Sequence, residues 1–214
     1  MAKAVIFDKD GVIVETKKLH FEKWKRTFNQ HNKKFNEEIL NQMMGRSARE
    51  NIKEFLDPTL SDEFITKILG EQLRFITSMF DRYVSLVPGI INFLKKLKDA
   101  NIPVALATSS RLESMNLVLD KFKLRPYFSV LINANDIALA KPNPEIYLHS
   151  VKSLKVKPEI CVVFEDSYSG VEAAKSAGMK VVLVMTSHTQ KEIPDVDLAI
   201  KDFTKITVKD VKMI

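Results

Sequence analysis

The chain has 214 residues, of which 45% are hydrophobic and 28% are charged, a composition typical of a globular protein. The sequence contains no apolar run approaching the roughly 18 residues that a membrane span requires. It enters a predicted strand almost at once, so we expect no signal peptide. Cys161 is the only cysteine, which excludes an internal disulfide and is typical of a reducing compartment. We therefore predict a cytoplasmic protein with no membrane association, and we take a monomer as the default.

The net charge of +6 favours an anionic partner, either nucleic acid or a phosphorylated metabolite. The basic residues alternate with apolar ones along predicted helices, as Lys17, Lys23 and Lys95 do, and the sequence carries no aromatic-basic RNA motif. Solvated helix surfaces explain most of these charges. We therefore expect a small anionic substrate rather than nucleic acid.

The first predicted strand leads directly into two acidic residues. Residues 4–7 form a short apolar run that predicts a buried strand, and Asp8, Asp10 and Gly11 follow it. Gly11 permits the sharp turn that such a strand exit needs. Ligands of an open parallel sheet bind at the carboxyl ends of its strands, so both acids lie where chemistry is expected. Two neighbouring carboxyls with different pKa values can divide the work of attack and proton transfer.

Residues 15–87 are predicted to form a separate helical unit. Apolar stripes with helical spacing recur through this segment, and no convincing strand is predicted in it. Gly45 and the Asp57-Pro58 step separate the predicted helices. We interpret the segment as a small helical bundle inserted between the first strand and the rest of the chain.

Residues 88–214 alternate between amphipathic helices and apolar strands. The predicted strands cover residues 102–107, 130–132, 160–164, 181–184 and 198–200. The helices between them include one over residues 117–122. This alternation is typical of a parallel sheet covered on both faces. The predicted fold is therefore α/β, with a Rossmann-like parallel-sheet core of residues 1–14 and 88–214 and an inserted helical-bundle cap over residues 15–87.

Polar side chains follow the predicted strands at several points besides Asp8 and Asp10. They are Thr108, Ser109, Ser110 and Arg111 after the second strand, Lys141 after the third, and Glu165 and Asp166 after the fourth. Each alone is also compatible with a helix cap, a turn or a solvated loop residue. The carboxyl ends of parallel strands share one edge of a sheet, so we expect these side chains to form one site.

This combination of residues suits phosphoryl transfer. Asp8 would attack phosphorus and form an aspartyl phosphate, while Asp10 would protonate the leaving oxygen and then deprotonate the attacking water. Thr108 and Lys141 would hold the phosphate oxygens. A divalent ion must offset the repulsion between two anions, and carboxylates suit the hard ion Mg²⁺. The predicted magnesium site comprises Asp8, Asp10, Asp166 and Glu165, in which Glu165 orients the other ligands.

Four stretches of the chain resemble the four motifs of the haloacid dehalogenase superfamily. They are Phe7-Asp8-Lys9-Asp10-Gly11-Val12, Ala107-Thr108-Ser109-Ser110, Lys141-Pro142-Asn143-Pro144 and Val163-Phe164-Glu165-Asp166-Ser167. They occur in order, span almost the whole chain and are similar to the branch that contains beta-phosphoglucomutase and sugar-phosphate phosphatases. The resemblance implies a helical cap inserted after the first motif and Mg²⁺ as the cofactor. It also implies the roles already given to Asp8, Asp10, Thr108, Lys141 and Asp166.

The presence of Asp10 distinguishes between the activities found in that superfamily, because some of its members lack an acid at this position. Dehalogenases and phosphonate-cleaving members lack the second acid of the first motif, which leaves phosphatase and phosphosugar mutase. His20 occurs where a mutase has its hinge histidine, but Ala48 stands at the position of its cap arginine and Gly70 near that of its cap lysine. We therefore predict a Mg²⁺-dependent phosphatase of a small phosphorylated metabolite, with a sugar phosphate as the first candidate. The alternative is a beta-phosphoglucomutase-type mutase.

Further residues are predicted to contact the substrate or its phosphate: Ser109, Ser110, Arg111, Arg46, Arg49 and His20. Lys9 lies between the two acids, where a cation would either lower their pKa values or pack within the sheet, and the sequence leaves both roles open. A third hypothesis is a non-enzymatic protein that binds anions or nucleic acid through its basic surface. The intact set of candidate catalytic residues argues against it.

Overall fold

A computed structural model describes residues 3–214, and in this part of the chain six parallel strands form one sheet. The strands, with a separate two-stranded pair β2–β3, are β1 Ala4–Phe7, β2 Val14–Glu15, β3 Ser85–Leu86, β4 Val104–Ala107, β5 Val130–Ile132, β6 Cys161–Glu165, β7 Lys180–Val184 and β8 Leu198–Ile200. The order across the sheet is β5-β4-β1-β6-β7-β8. The predicted α/β fold is confirmed, and β1 lies at its centre between β4 and β6.

Helices cover both faces of the sheet, as its alternating side chains require. Val5 and Phe7 of β1 join an apolar cluster with α5 Ile90–Asp99, α6 Leu112–Lys121 and α9 Val208–Met213. Ala4 and Ile6 point to the opposite face, where α7 Glu145–Leu154 and α8 Tyr168–Ser176 pack. Both faces of β1 are therefore buried, and only its carboxyl end remains for a polar function.

The helices between β1 and β4 build a third apolar cluster of their own. They are α1 Lys17–Gln30, α2 Glu37–Met43, α3 Ala48–Asn51, a π-helical turn over Ile52–Leu56, and α4 Asp62–Tyr83. Trp24, Phe28 and Leu40 pack against Ile52 and Ile65 in this cluster. The segment is helical as predicted, and α4 returns the chain to the sheet through Phe80, which packs in the first cluster.

The two segments that flank these helices form a short antiparallel pair, in which Val14 pairs with Leu86 and Glu15 with Ser85. The prediction of no strand in residues 15–86 was therefore wrong. Each strand has only two residues, too few to show an alternating pattern. The pair brings the start and the end of the helical segment side by side at its connection to the sheet.

Several other boundaries differ from the sequence predictions by one or more residues, including the first residue of β7, Lys180, and the last of β6, Glu165. The strand predicted from residue 102 begins at Val104, after Pro103, which has no N–H to donate to a ladder. The strand predicted from residue 160 begins at Cys161, because a 3₁₀ turn occupies Pro158–Ile160. The helix predicted over residues 117–122 is longer and covers Leu112–Lys121. Within residues 3–214, no helix combines the length and apolar character that crossing a membrane would take. Residues 1 and 2 of the predicted core segment 1–14 lie outside the described residues.

Candidate active site

The carboxyl ends of the central strands bring the predicted site residues to one place. Asp8 follows β1, Thr108 follows β4, and Asp166 follows β6. All three line a cavity of about 420 Å³ between the sheet edge and the helical segment. The other predicted residues that line it are Asp10, Ser109, Ser110, Arg111, His20, Arg46 and Arg49. Lys141 and Glu165 lie behind this wall and are fully buried.

Lys141 links two of the buried acids. Its Nζ lies 2.6 Å from Asp8 Oδ1 and 2.7 Å from Glu165 Oε1, and the Tyr147 hydroxyl donates to the same Glu165 oxygen at 2.8 Å. Burial alone would lower the pKa of Lys141, but the two carboxylates outweigh it and raise that pKa well above its usual value. Lys141 is therefore a cation held in a fixed position beside the Asp8 carboxyl group.

Glu165 does not face the cavity as a metal ligand. Its Oε2 accepts hydrogen bonds from the backbone N–H groups of Asp166 and Ser167 and from the Ser167 hydroxyl, at 2.8 to 3.1 Å. Its Oε1 is taken by Lys141 and Tyr147. Both Glu165 oxygens are thus taken by protein donors, and the side chain fixes Lys141 and the end of β6; its predicted role of orienting the ligands of a metal ion stays a prediction.

Asp8 and Asp166 form the part of the site that a cation fits. Burial raises the pKa of Asp8 to about 7, with Lys141 opposing that rise and Glu165 adding to it. Burial also raises the pKa of Asp166 well above its usual range, and the nearby charges of Glu165 and Asp8 add to that effect. Two buried carboxyls that resist ionisation together are stabilised as anions by a divalent ion between them.

The backbone at Gly11 and Asp10 lies close to these acids. Gly11 has φ +76°, and a Cβ atom there would overlap the Asp166 carboxylate. Among the described residues, no hydrogen bond reaches the Asp10 carbonyl oxygen, while the Lys9 carbonyl accepts two and the Gly11 carbonyl accepts one. No group of three His, Cys, Asp or Glu side chains in residues 3–214 forms a metal cluster. Two carboxylates, a carbonyl and water match the needs of Mg²⁺, which keeps several of its waters.

Asp10 lies in a hydrogen-bond network of its own. Lys9 Nζ lies 3.0 Å from Oδ2 and the Ser110 hydroxyl donates to the same oxygen at 2.8 Å. The Thr16 hydroxyl donates to Oδ1 at 2.9 Å, and His20 Nε2 lies 3.4 Å from it. Burial would raise the pKa of Asp10, but Lys9, with His20 and Ser110, holds it well below its usual range. The Asp10 carboxylate, predicted as a magnesium ligand, thus accepts hydrogen bonds from protein donors. Within residues 3–214, its backbone carbonyl oxygen accepts none.

Lys9 therefore pairs with an acid rather than packing in the apolar sheet. Its Nζ also donates to Ser114 on α6 at 3.1 Å, and the residue is fully buried. The sequence is compatible with both roles, and the geometry shows that Lys9 forms an ion pair with Asp10. Burial lowers the pKa of His20, and the charge of Lys23 lowers it further, so the imidazole beside Asp10 is neutral near pH 7.

Two serines of the sheet edge hold the helical segment over the cavity. The Ser109 hydroxyl donates to the Gly45 carbonyl at 2.8 Å, and the Ser169 hydroxyl donates to the Met44 carbonyl at 3.1 Å. Gly45 has φ +77°, and a Cβ atom there would overlap the hydroxyls of Ser167 and Ser169. Ser109, predicted as a phosphate contact, thus uses its hydroxyl as a hydrogen-bond donor to the helical segment.

The cavity arginines are paired with nearby acids. Arg46 makes a bidentate ion pair with Glu54. Arg49 Nη1 lies 2.7 Å from Asp62. Arg111 Nη2 lies 3.5 Å from Glu113 Oε1. These three predicted substrate contacts line the cavity, but each has a carboxylate partner of its own.

Three residues of the site were not assigned a role from the sequence: Ser187, Tyr147 and Lys23. The Ser187 hydroxyl donates to Asp166 Oδ2 from the loop after β7. Because β7 ends at the same edge as the other strands, its following polar residues could have been included. Lys23 lies one helical turn after His20, so its spacing already placed both on one face of α1. Tyr147 carried no comparable signal.

Comparison with known proteins agrees with this geometry. A model of the family described as haloacid dehalogenase-like hydrolase matches residues 5–184. A phosphorylated carbohydrates phosphatase of Thermotoga maritima is 38% identical over 83% of this chain and 82% of its own length. Beta-phosphoglucomutase of Bacillus subtilis is 31% identical over 84% and 82%, respectively. The crystal structure of beta-phosphoglucomutase from Clostridium difficile covers 100% of this chain and 96% of its own, with a TM-score of 0.89 and 26% identity.

The chain belongs to the haloacid dehalogenase-like hydrolase family. Within it, the chain is an enzyme of the branch that includes phosphatases and beta-phosphoglucomutases. The resemblance noted from the four sequence motifs is confirmed, and so is the prediction of an enzyme. The third hypothesis, a non-enzymatic binding protein, is contradicted by these relatives.

Proposed function

We propose that the chain is a Mg²⁺-dependent phosphatase that hydrolyses a small phosphorylated metabolite, with a sugar phosphate as the first candidate. The observation that carries the proposal is the Asp8 carboxylate at the cavity wall, 2.6 Å from Lys141, with Thr108 and Asp166 beside it. A fixed cation and a hydroxyl next to a carboxylate suit attack on a phosphate. The name of the Thermotoga maritima relative supports a carbohydrate phosphate.

In the first step, an Asp8 oxygen attacks phosphorus and the ester bond between phosphorus and the leaving oxygen breaks. The electron pair of that bond goes to the leaving oxygen, and Asp10 supplies the proton that this oxygen takes up. Lys141 and Thr108 stabilise the charge on the transferred group. The products of this step are the free alcohol and a phosphoryl group on Asp8.

In the second step, water attacks the phosphorus of the Asp8 phosphate. Asp10, now ionised, removes a proton from that water as the new bond forms. The bond between phosphorus and the Asp8 oxygen breaks, and the carboxylate and inorganic phosphate are released. The network of Lys9, Thr16, Ser110 and His20 suits this step, because it stabilises the ionised form of Asp10.

Asp8, Asp166 and the Asp10 carbonyl would hold Mg²⁺. When bound, the ion neutralises part of the charge that Asp8 and the phosphate bring together. The helical segment, residues 15–87, would act as a cap that excludes bulk water during the reaction. The β2–β3 pair supports this division, because both connections of the segment to the sheet lie together there.

The alternative activity is transfer to a second hydroxyl of the same sugar, as in a phosphosugar mutase. Such an enzyme must anchor a second phosphate while it excludes water. The pairing of Arg46 with Glu54 and of Arg49 with Asp62 favours hydrolysis, because each arginine would have to leave its carboxylate to anchor that phosphate. Hydrolysis therefore has the better support.

The phosphatase proposal is tested with p-nitrophenyl phosphate and a panel of sugar phosphates in the presence of Mg²⁺. The parent enzyme should release phosphate, and Asp8→Asn should reduce the rate by roughly 10⁴-fold or more. The exposed acid Asp81 on α4 provides a matched control, since Asp81→Asn should leave the rate unchanged. Phosphate release that survives Asp8→Asn would overturn the aspartyl-phosphate route.

A second assay separates phosphatase from mutase. The enzyme is supplied with beta-glucose 1-phosphate and a trace of the corresponding bisphosphate, and both free phosphate and glucose 6-phosphate are followed. The proposal predicts that phosphate appears faster. Faster formation of glucose 6-phosphate would establish the alternative instead.

A further inference from the structure

Lys23 is a buried cation on the wall of the cavity. It lies on α1, only 5% of its surface is exposed, and it lines the cavity together with Trp24. Its Nζ lies 4.5 Å from the centre of the Trp24 ring, which holds the side chain in a cation–π contact. A buried ammonium group is costly unless an anion or hydrogen-bond acceptor offsets the loss of water. Burial accordingly lowers the pKa of Lys23 to about 7, with the charge of Asp10 opposing that fall, and an anion bound beside the amine would favour its charged form.

Lys23 differs from the other basic residues of this wall. Arg46, Arg49 and Arg111 each have a carboxylate within salt-bridge distance, and His20 lies 3.4 Å from Asp10. Across residues 3–214, no carboxylate or other hydrogen-bond acceptor pairs with Lys23 Nζ in this way. Lys23 is therefore a buried amine at the cavity wall, and no described residue gives its Nζ a salt bridge or a hydrogen bond.

Lowering the pKa of Asp10 does not explain why Lys23 is buried at the cavity wall. Lys9 lies 3.0 Å from the Asp10 carboxylate and is the main cation that lowers the pKa of that acid, with His20 and Ser110 after it. Asp10 is the nearby charge that most opposes the lowering of the Lys23 pKa, but among residues 3–214 no carboxylate lies within salt-bridge distance of Lys23 Nζ. The ion-pairing capacity of Lys23 therefore remains available to a bound molecule.

We propose that Lys23 is a specificity residue that binds an anionic group, a carboxylate or a second phosphate, on the leaving part of the substrate. Lys23 lies on the same helix face as His20, which contacts Asp10, the acid assigned to the leaving oxygen. A group bound by Lys23 thus belongs to the alcohol that departs rather than to the transferred phosphoryl group. This inference rests on the proposed function and deepens it.

Binding to a catalytically inactive enzyme tests the inference apart from turnover. Calorimetry with Mg²⁺ compares glucose 6-phosphate, 6-phosphogluconate and glucose 1,6-bisphosphate on Asp8→Asn and on Asp8→Asn with Lys23→Met. Relative to glucose 6-phosphate, 6-phosphogluconate carries an additional carboxylate and glucose 1,6-bisphosphate an additional phosphate. The pair of ligands therefore shows which of the two anionic groups Lys23 binds. We expect at least one of them to bind Asp8→Asn more tightly than glucose 6-phosphate does, and Lys23→Met to weaken that binding by roughly 10- to 100-fold.

Two further variants control for indirect effects. Lys25→Met removes an exposed lysine of the same helix and should leave all three affinities unchanged. Lys23→Arg keeps the charge and should retain the preference for the anionic ligand. If neither anionic ligand binds Asp8→Asn better than glucose 6-phosphate, or if Lys23→Met weakens all three equally, the inference is wrong. Failure of the phosphatase assay with an intact binding preference would instead refute the proposed reaction alone.

Discussion

The sheet edge and the helical segment carry their charges in different ways. At the sheet edge, Asp8, Lys141 and Glu165 are buried, and Lys141 Nζ lies 2.6 Å from Asp8 and 2.7 Å from Glu165, so their geometry is set before any substrate binds. On the helical side, Arg49 pairs with an exposed acid at the rim, and Lys23 has a buried ammonium group with no such partner. The sheet edge is therefore organised by its own ion pairs, whereas on the helical side we expect Lys23 to gain its partner only from a bound molecule.

The largest expected effect comes from removing the cation at the sheet edge. Lys141→Ala leaves Asp8 and Glu165 buried without their common partner, so we expect a loss of about 3–5 kcal/mol in the free energy of unfolding. Phosphatase activity should disappear as well. Urea denaturation measures the loss, and the exposed Lys152→Ala on α7 should stay within about 0.5 kcal/mol of the parent. A similarly small change in Lys141→Ala would contradict the preset geometry.

Magnesium should stabilise the sheet edge in a pH-dependent way. The folded-state pKa of Asp8 is raised from 3.8 to about 7, so its proton-linked stability is full below pH 3.8 and is lost as the pH rises towards 7. Mg²⁺ must displace that proton, so its stabilisation should grow with pH and reach about 2.7 kcal/mol at a hundredfold excess over Kd.

Thermal unfolding with and without Mg²⁺ at ~pH 5.5 and ~pH 8 checks this expectation. The increase in Tm caused by the ion should be larger at the higher pH, and Asp8→Asn should remove most of that difference. An equal increase at both pH values in the parent enzyme would show that the ion does not bind at Asp8.

The contact between the two regions can be broken at Gly45. Gly45→Ala places a Cβ against the hydroxyls of Ser167 and Ser169 at a residue with φ +77°, which we expect to cost about 1–3 kcal/mol. The strain falls on the helical side, so KM should rise more than kcat falls. Steady-state kinetics measure both, with Gly70→Ala on α4, where nothing crowds the added atom, as the control. Equal kinetics for the two variants would count against a cap that closes through this contact.

The smallest expected effect is a change in pH profile. Burial would raise the pKa of Asp10, and Lys9 is the main group that holds it well below the usual range. Lys9→Met should therefore raise that pKa, so Asp10 keeps its proton to higher pH. The limb on which kcat/KM falls with rising pH should shift upward relative to the parent and to the exposed-residue control Lys3→Met. A shift to lower pH would contradict the role of Lys9.

The same contrast explains how much the sequence could predict. The strands carry apolar runs, and their order along the chain fixes which polar residues reach the shared edge. The sequence therefore predicts that Asp8, Thr108 and Asp166 lie together, and in the structure they line one cavity. The pairing of Lys141 with both Asp8 and Glu165 could not be foreseen, because it depends on how a loop folds behind the sheet.

The helical segment was less predictable for a physical reason. Apolar spacing reveals helices, but it does not show which way a long charged side chain turns at the rim. Arg46 and Arg49 had the pattern of substrate contacts, yet they pair with Glu54 and Asp62. Lys23 had the pattern of a solvated helix lysine, yet it is buried at the cavity.

Direct detection of the phosphorylated carboxylate tests the central claim. Enzyme in molar excess is mixed with a substrate from the panel and Mg²⁺, quenched in acid and reduced with borohydride, which converts an aspartyl phosphate to homoserine. Peptide mass spectrometry then locates the modified residue. The mechanism predicts homoserine at position 8 in the parent enzyme and none in Asp8→Asn. Phosphate release with no modification at position 8, or modification at another residue, would contradict it.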